Sequence, residues 1–234
     1  MQLQLLRRAA MALLAFGALI VNVTAPVRGQ EISLPEKILF QSKHFGNVKK
    51  PMTLHYTFRE DVKGSDTLND KVSIDILKPY FDGTASVAAH FLSGEREISI
   101  PPIDHAQGNP MILGFLERDI TEMKRLTGGA TGYFRKRIRL ALAASDVPVN
   151  KIMVAYGGRQ ITAQEIRIFP YLDDPLKDRL GKYVSKGYVF IMSDAVPGTL
   201  YRAYTTMATE KSGSSVTSAM AIAFTDKPLY KRAL

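Results

Sequence analysis

Alternation of apolar and polar residues with a period of two, broken again and again by turn residues, most limits what this chain can fold into. In residues 52–61, Leu54, Tyr56 and Phe58 alternate with His55, Thr57 and Arg59, the pattern of a strand with one wet face. Residues 63–70 (KGSDTLND) read as a hairpin loop, and Val72, Ile74 and Ile76 resume the alternation. Asp82 and Gly83 supply a strong turn, after which Val87, Ala89 and Phe91 share a face as far as Ser93 and Gly94. A short fourth strand carrying Ile98 and Ile100 is expected to stop at Pro101 and Pro102, because proline cannot donate to a central ladder.

The period then becomes helical. Asn109 and Pro110 suit a helix start, and Ile112, Leu116, Ile120 and Met123 follow at helix spacing, with Glu117, Arg118, Asp119, Glu122 and Lys124 assigned to the wet side. Gly128 and Gly129 end that helix. Thr131 is placed as the cap of a second, whose apolar stripe is Phe134, Ile138, Ala141 and Leu142. The alternating Arg135, Arg137 and Arg139 also permit a strand, but the Ala and Leu content of the second half favours helix.

Hairpins return after the helices. Gly157 and Gly158 join two alternating runs, residues 172–182 form a polar turn or short helical excursion, and Pro197 and Gly198 fit the two central positions of a turn. A last pair of strands is joined across residues 210–215 (EKSGSS), and the basic tail 227–234 is expected to fray. Residues 31–51 show no sustained period beyond a short apolar turn at 38–40. The expected fold is α+β: a large curved antiparallel sheet of about nine strands built from hairpins, with a helical pair at about 110–127 and 132–145 packed on it.

Ahead of this domain, Arg7 and Arg8 precede an apolar stretch from Met11 to Val23 with no acid among the first 29 residues. A charged n-region followed by an h-region too short to cross a bilayer, which takes roughly 20 residues, is the pattern of a secretory signal peptide. Cleavage is expected after Gly29 rather than Ala25, since the latter would leave Pro26 as the new terminus. The organisation expected is a signal peptide over 1–29 and a single β-rich domain over 30–234, periplasmic or secreted. No lipobox cysteine and no second long apolar run follow, so no membrane-spanning segment is expected. A chain with no cysteine at all must hold an exported fold by its core alone, and about 200 residues suffice for that.

Removing residues 1–29 takes away three arginines and leaves 28 basic against 22 acidic residues. A basic exported domain suits an anionic envelope lipid or polymer, and export disfavours nucleic acid. The glycine-rich connection Gly128, Gly129 and Thr131, leading into Arg135, Lys136, Arg137 and Arg139, is the candidate anion-binding site. It lacks the spacing of a nucleotide-binding P-loop. Tyr188, Phe190, Tyr201 and Tyr204 flank the Pro197-Gly198 turn and are the candidate lining of an apolar pocket.

No metal site is expected: His44, His55, His90 and His105 are isolated in sequence, although His55 and His90 lie on strands that could meet across a sheet. Asp173, Asp174 and Asp178 lack the alternation of a calcium loop. No cofactor motif and no serine nucleophile motif occurs, so no cofactor is expected and no catalytic residue is assigned. The sequence thus favours a soluble exported binding or envelope-associated protein, with an exported hydrolase as the alternative, its carboxylates (Glu95, Glu97, Glu117 or Glu165) converging only in the fold.

Overall fold

The computed structural model describes residues 31–61, 67–209 and 213–222. The expected signal peptide and tail lie outside these residues, as do parts of the expected loops at 63–70 and 210–215. The lead-in reads Ser-Leu-Pro-Glu, and it forms a helical turn, α1 (Leu34–Glu36), that continues as a π-turn to Gln41. Ser33 and Glu36 close a reciprocal capping box, and the Ser33 hydroxyl also donates to the Leu142 carbonyl at 2.7 Å. That S-x-x-E signal was present in the sequence, inside a segment read as irregular.

Four strands follow: β1 (Met52–Glu60), β2 (Leu68–Pro79), β3 (Ala85–Phe91) and β4 (Ile98–Ala106). The helical pair is α2 (Met111–Thr127) and α3 (Thr131–Ala143). Then come β5 (Val149–Tyr156), β6 (Arg159–Ile168), the short α4 (Lys177–Leu180), β7 (Gly187–Met192), β8 (Leu200–Thr209) and β9 (Gly213–Ile222). The fold is α+β, and every strand pairing is antiparallel. One block runs β4-β3-β2-β1 and the other β8-β7-β6-β5, while β9 pairs with β1 on one side and β8 on the other.

Three local expectations are corrected. The strand expected to stop at Pro101 continues through both prolines to Ala106, because β4 is the outermost strand of its block and among the described residues its far side has no ladder to feed. Thr131 does not cap α3; the helix begins after Ala130 without a side-chain cap. At the α2 start the helix begins at Met111 with Pro110 at the cap position, one residue later than expected, and the Asn109 carboxamide oxygen accepts the Met111 N–H at 3.0 Å. Thr199 N–H closes on the Val196 carbonyl at 2.8 Å, and Gly198 takes φ +72°, so Pro197 and Gly198 hold the central positions of that turn.

The core lies between the helices and one sheet face. Leu54, Tyr56 and Phe58 of β1, Val72, Ile74 and Ile76 of β2, and Val87, Ala89 and Phe91 of β3 are all buried there. Phe134, Ile138 and Leu142 repeat every fourth residue along α3 and enter the same core. Gly114 lets α2 approach closely, since a β-carbon there would come within 2.5 Å of the Phe91 ring. Among the described residues no helix is long and apolar enough to cross a membrane.

Candidate functional site

The basic run of α3 does not form one patch, because a helix turns successive residues about 100° apart. Arg135 reaches back to α2 and grips the Glu117 carboxylate with Nε at 2.7 Å and a terminal nitrogen at 2.6 Å. Arg137 turns the other way: its Nε lies 2.8 Å from Asp174 Oδ2 and donates to the Pro170 carbonyl at 3.2 Å. Asp174 is buried, and its other oxygen accepts from the Leu176 N–H at 2.7 Å and from the Tyr133 hydroxyl. Lys136 and Arg139 are exposed, with no carboxylate partner among the described residues.

The glycines serve the helix junction. Gly128 adopts φ +71° and ends α2 by donating to the Lys124 carbonyl, a conformation that suits glycine. Gly129 lies against the Phe134 ring, where a β-carbon would come within 2.6 Å. Gly128, Gly129 and the side chains of Thr127, Tyr133 and Arg179 border a cavity of about 250 Å³, which Arg135, Lys136, Arg137 and Arg139 do not line.

The four aromatic residues divide between the sheet faces. Tyr188 and Phe190 point into the helix-facing core and are wholly buried; Phe190 meets Phe115 edge to face at 6.4 Å. Tyr201 and Tyr204 pack on a separate cluster of Ala163, Val189 and Ile191. There the Tyr201 hydroxyl donates to the Ala155 carbonyl at 3.0 Å, and the Arg202 guanidinium lies 4.8 Å over the Tyr204 ring. The structure therefore does not bring these four into one pocket.

It does open a cleft of about 360 Å³ between α3 and the end of β6. Arg137, Leu140, Ala141 and Ala144 form one wall at helix spacing; Arg167, Ile168, Phe169 and Pro170 form the other, with Val147, Pro148, Asp146 and Asp173 at the margins. Both protein contacts of Arg137 use Nε, so among the described residues its terminal nitrogens have no partner. Arg167 is over a third exposed, and its ion pair among the described residues is a 3.4 Å contact to Glu165. Two guanidinium groups thus border a space whose remaining walls are largely aliphatic, and a guanidinium fork matches a carboxylate or phosphate. Asp146 and Asp173 are exposed.

Other expected groups stay apart. His55 and His90 flank Ser73 on opposite sides of β2, so a whole strand separates them. Of the acids named for hydrolysis, Glu117 and Glu165 face Arg135 and Arg167. Among the described residues no group of three or more His, Asp or Glu side chains could hold a metal ion.

What sequence reasoning missed is a set of buried polar pins. Asp119, assigned to the wet side of α2, is buried, because it falls four residues after Phe115 and four before Met123. Its Oδ1 lies 2.5 Å from Lys186 Nζ, and its Oδ2 accepts from the Tyr188 hydroxyl at 2.6 Å, with the Tyr171 hydroxyl 3.0 Å beyond. Burial, then the nearby Asp119 charge, pushes the Tyr188 phenol well above its ordinary range.

Beside the α2 start, His44 Nδ1 accepts from the Asn109 N–H at 2.9 Å, while Nε2 meets the Ile38 carbonyl at 2.7 Å. These contacts fix the neutral Nε2–H tautomer, and burial pushes the imidazole pKa down. Asn109 Nδ2 donates to both the Tyr56 hydroxyl and the Gly198 carbonyl at 2.9 Å, which ties the Pro197-Gly198 turn to α2. The chain matches no protein-family model, and no curated protein is similar to it in sequence.

Proposed function

We propose that this chain is an exported binding protein for an anionic amphiphile of the cell envelope, taken up in the cleft between α3 and β6. The observation that carries this reading is the pair Arg137 and Arg167 bordering a cleft walled by Leu140, Ala141, Val147, Ile168 and Phe169, with Asp146 and Asp173 exposed at its margins. An acidic head would meet the two guanidinium groups, and the first methylenes of an acyl chain would lie on the aliphatic walls. At about 360 Å³ the space is near the lower end of ligand pockets, roughly 300–1,000 Å³, so part of a longer chain would extend into solvent or along the membrane.

The reading takes the two strand blocks, bridged by β9, as one continuous curved surface beneath the helical pair, and residues 1–29 as a signal peptide removed after Gly29. Arg7, Arg8 and the apolar run that follows support export. The test is native purification of the protein from the envelope fraction of its own cells, followed by mass spectrometry. Expected are an intact mass starting at Gln30 and a retained acidic lipid. A protein carrying no small molecule and retaining residues 1–29 would overturn both parts.

A further inference from the structure

The turn between β2 and β3 carries an aromatic side chain that the fold does not use. The Tyr80 N–H donates to the Thr84 carbonyl at 2.9 Å and the Gly83 N–H to the Tyr80 carbonyl at 3.1 Å, so Phe81 and Asp82 form the tip of a tight turn. The Asp82 carboxylate accepts from the Thr84 N–H at 3.0 Å and from its hydroxyl at 2.7 Å. Tyr80 is clamped to β4: its ring stacks on His105 at 4.0 Å, and its hydroxyl donates to Asp104 at 2.7 Å. From this fixed base Phe81 stands out with a relative exposure of 114%, whereas the other large apolar side chains among the described residues reach 60% at most. Many residues satisfy a turn tip, and polar ones suit it best, so the turn itself does not call for phenylalanine.

Lysines collar the tip. Gly83, at φ +82°, lets the turn lie on the Lys43 stem, since a β-carbon there would come within 3.1 Å of Lys43 Cβ and 3.4 Å of Gly46 Cα. Lys49 Nζ donates to the Gly46 carbonyl at 2.7 Å, Lys50 adjoins it, and Lys78 Nζ lies 5.0 Å from the Tyr80 ring centre. All four lysines are exposed. The acids of the turn and its clamp are Asp82 and Asp104, whose oxygens already accept bonds from Thr84 and Tyr80.

We propose that this tip docks on the surface of an anionic lipid bilayer, with the Phe81 ring in the headgroup layer and the lysine ammonium groups on the lipid phosphates. An apolar ring inside a collar of bases is the pairing that an anionic interface rewards, because the ring leaves water while the charges remain at the phosphates on their long stems. One aromatic ring on a convex turn offers little to a protein partner, whose specific interface buries upward of about 1,000 Å². The inference rests on Phe81 and its lysines and does not depend on what the cleft binds.

The test is cosedimentation of the protein, purified from its own cells, with vesicles of phosphatidylcholine alone or mixed with phosphatidylglycerol. The wild type should bind the mixed vesicles, be released by salt, and bind phosphatidylcholine far more weakly. Phe81→Ser should weaken binding roughly tenfold and Lys78→Gln about fivefold, while Met153→Ser, an equally exposed position in the other strand block, should leave it unchanged. Because the chain has no tryptophan, Phe81→Trp places a single reporter at the tip. It should keep the binding, and its emission should shift to the blue on the mixed vesicles. Equal melting temperatures would show that the variants fold. Absence of vesicle binding, binding that Phe81→Ser does not alter, or a bound Phe81→Trp that still emits as a water-exposed indole would each overturn the proposal. So would self-association that Phe81→Ser abolishes in protein that ignores vesicles, which would give the tip to a second copy.

Discussion

The underside of α2 and the cleft beside α3 both set charge against apolar side chains, and they use it in opposite ways. Beneath α2, Asp119 spends both oxygens on Lys186 and Tyr188, and all three groups are buried. In the cleft, Arg137 is held through its Nε, and Arg167 is over a third exposed. A fully engaged buried pair positions elements, because moving either partner strands the other in a dry environment. A guanidinium pinned at one edge keeps donors for something else. Charge on this molecule is therefore informative only with its partner count: Asp119 fixes how α2 meets β7, and Arg137 is pinned to Asp174 and Pro170 through Nε.

Three experiments would break or sharpen this contrast. The largest effect is expected from Lys186→Met, which leaves Asp119 buried without its counter-charge and should cost about 3–5 kcal/mol in denaturant unfolding. A loss below about 1 kcal/mol would mean that water reaches Asp119 and that the underside is no drier than the cleft.

Next in size is a pH effect at the other polar pin. His44 is neutral in the folded protein, and burial holds its pKa below the ordinary 6.5. Above that pH both states are neutral and stability does not change. Below it the unfolded histidine takes up a proton that the folded one refuses, so stability falls until the folded pKa is reached. Glu60 opposes this trend, since burial raises its carboxyl pKa. The comparison is therefore wild type against His44→Gln at each pH, and the melting temperature of the variant should decline less between pH 7 and pH 5. Parallel declines would show that His44 is protonated without penalty. The smallest effect is expected from Arg135→Gln: its pair with Glu117 is well exposed, and its loss should cost less than about 1 kcal/mol.

The strands and the helical pair were legible because each buries one face, so the period of the pattern reports the partner surface. Leu54, Tyr56 and Phe58 on β1, and Phe134, Ile138 and Leu142 on α3, announce their elements with no tertiary information. Pro101 and Pro102 misled, since proline stops a central strand and not an edge strand, and position in a sheet is a property of the whole chain. Asp119 misled because residue type was weighed above its place on the apolar stripe. The Ser33 capping box was readable and passed over.

The candidate site was less legible. Arg137 belonged to a basic run whose members separate once the helix forms, and its partner in the cleft, Arg167, comes from a strand thirty residues away. Tyr188 and Tyr201 looked alike in sequence, yet they fall on opposite faces, and one fills the core while the other covers a second cluster. No local spacing encodes a convergence of that kind.

The central claim is that the cleft reads an acidic head through its arginines, and a calorimetric titration of octanoate against 1-octanol tests it most directly. The two ligands share a chain and differ in charge. Octanoate should bind the wild type more tightly than the alcohol, and Arg167→Gln should weaken octanoate roughly tenfold while leaving the alcohol unchanged, as for the loss of one charge-assisted hydrogen bond. Equal binding of the two ligands, or octanoate binding that Arg167→Gln does not alter, would contradict the account.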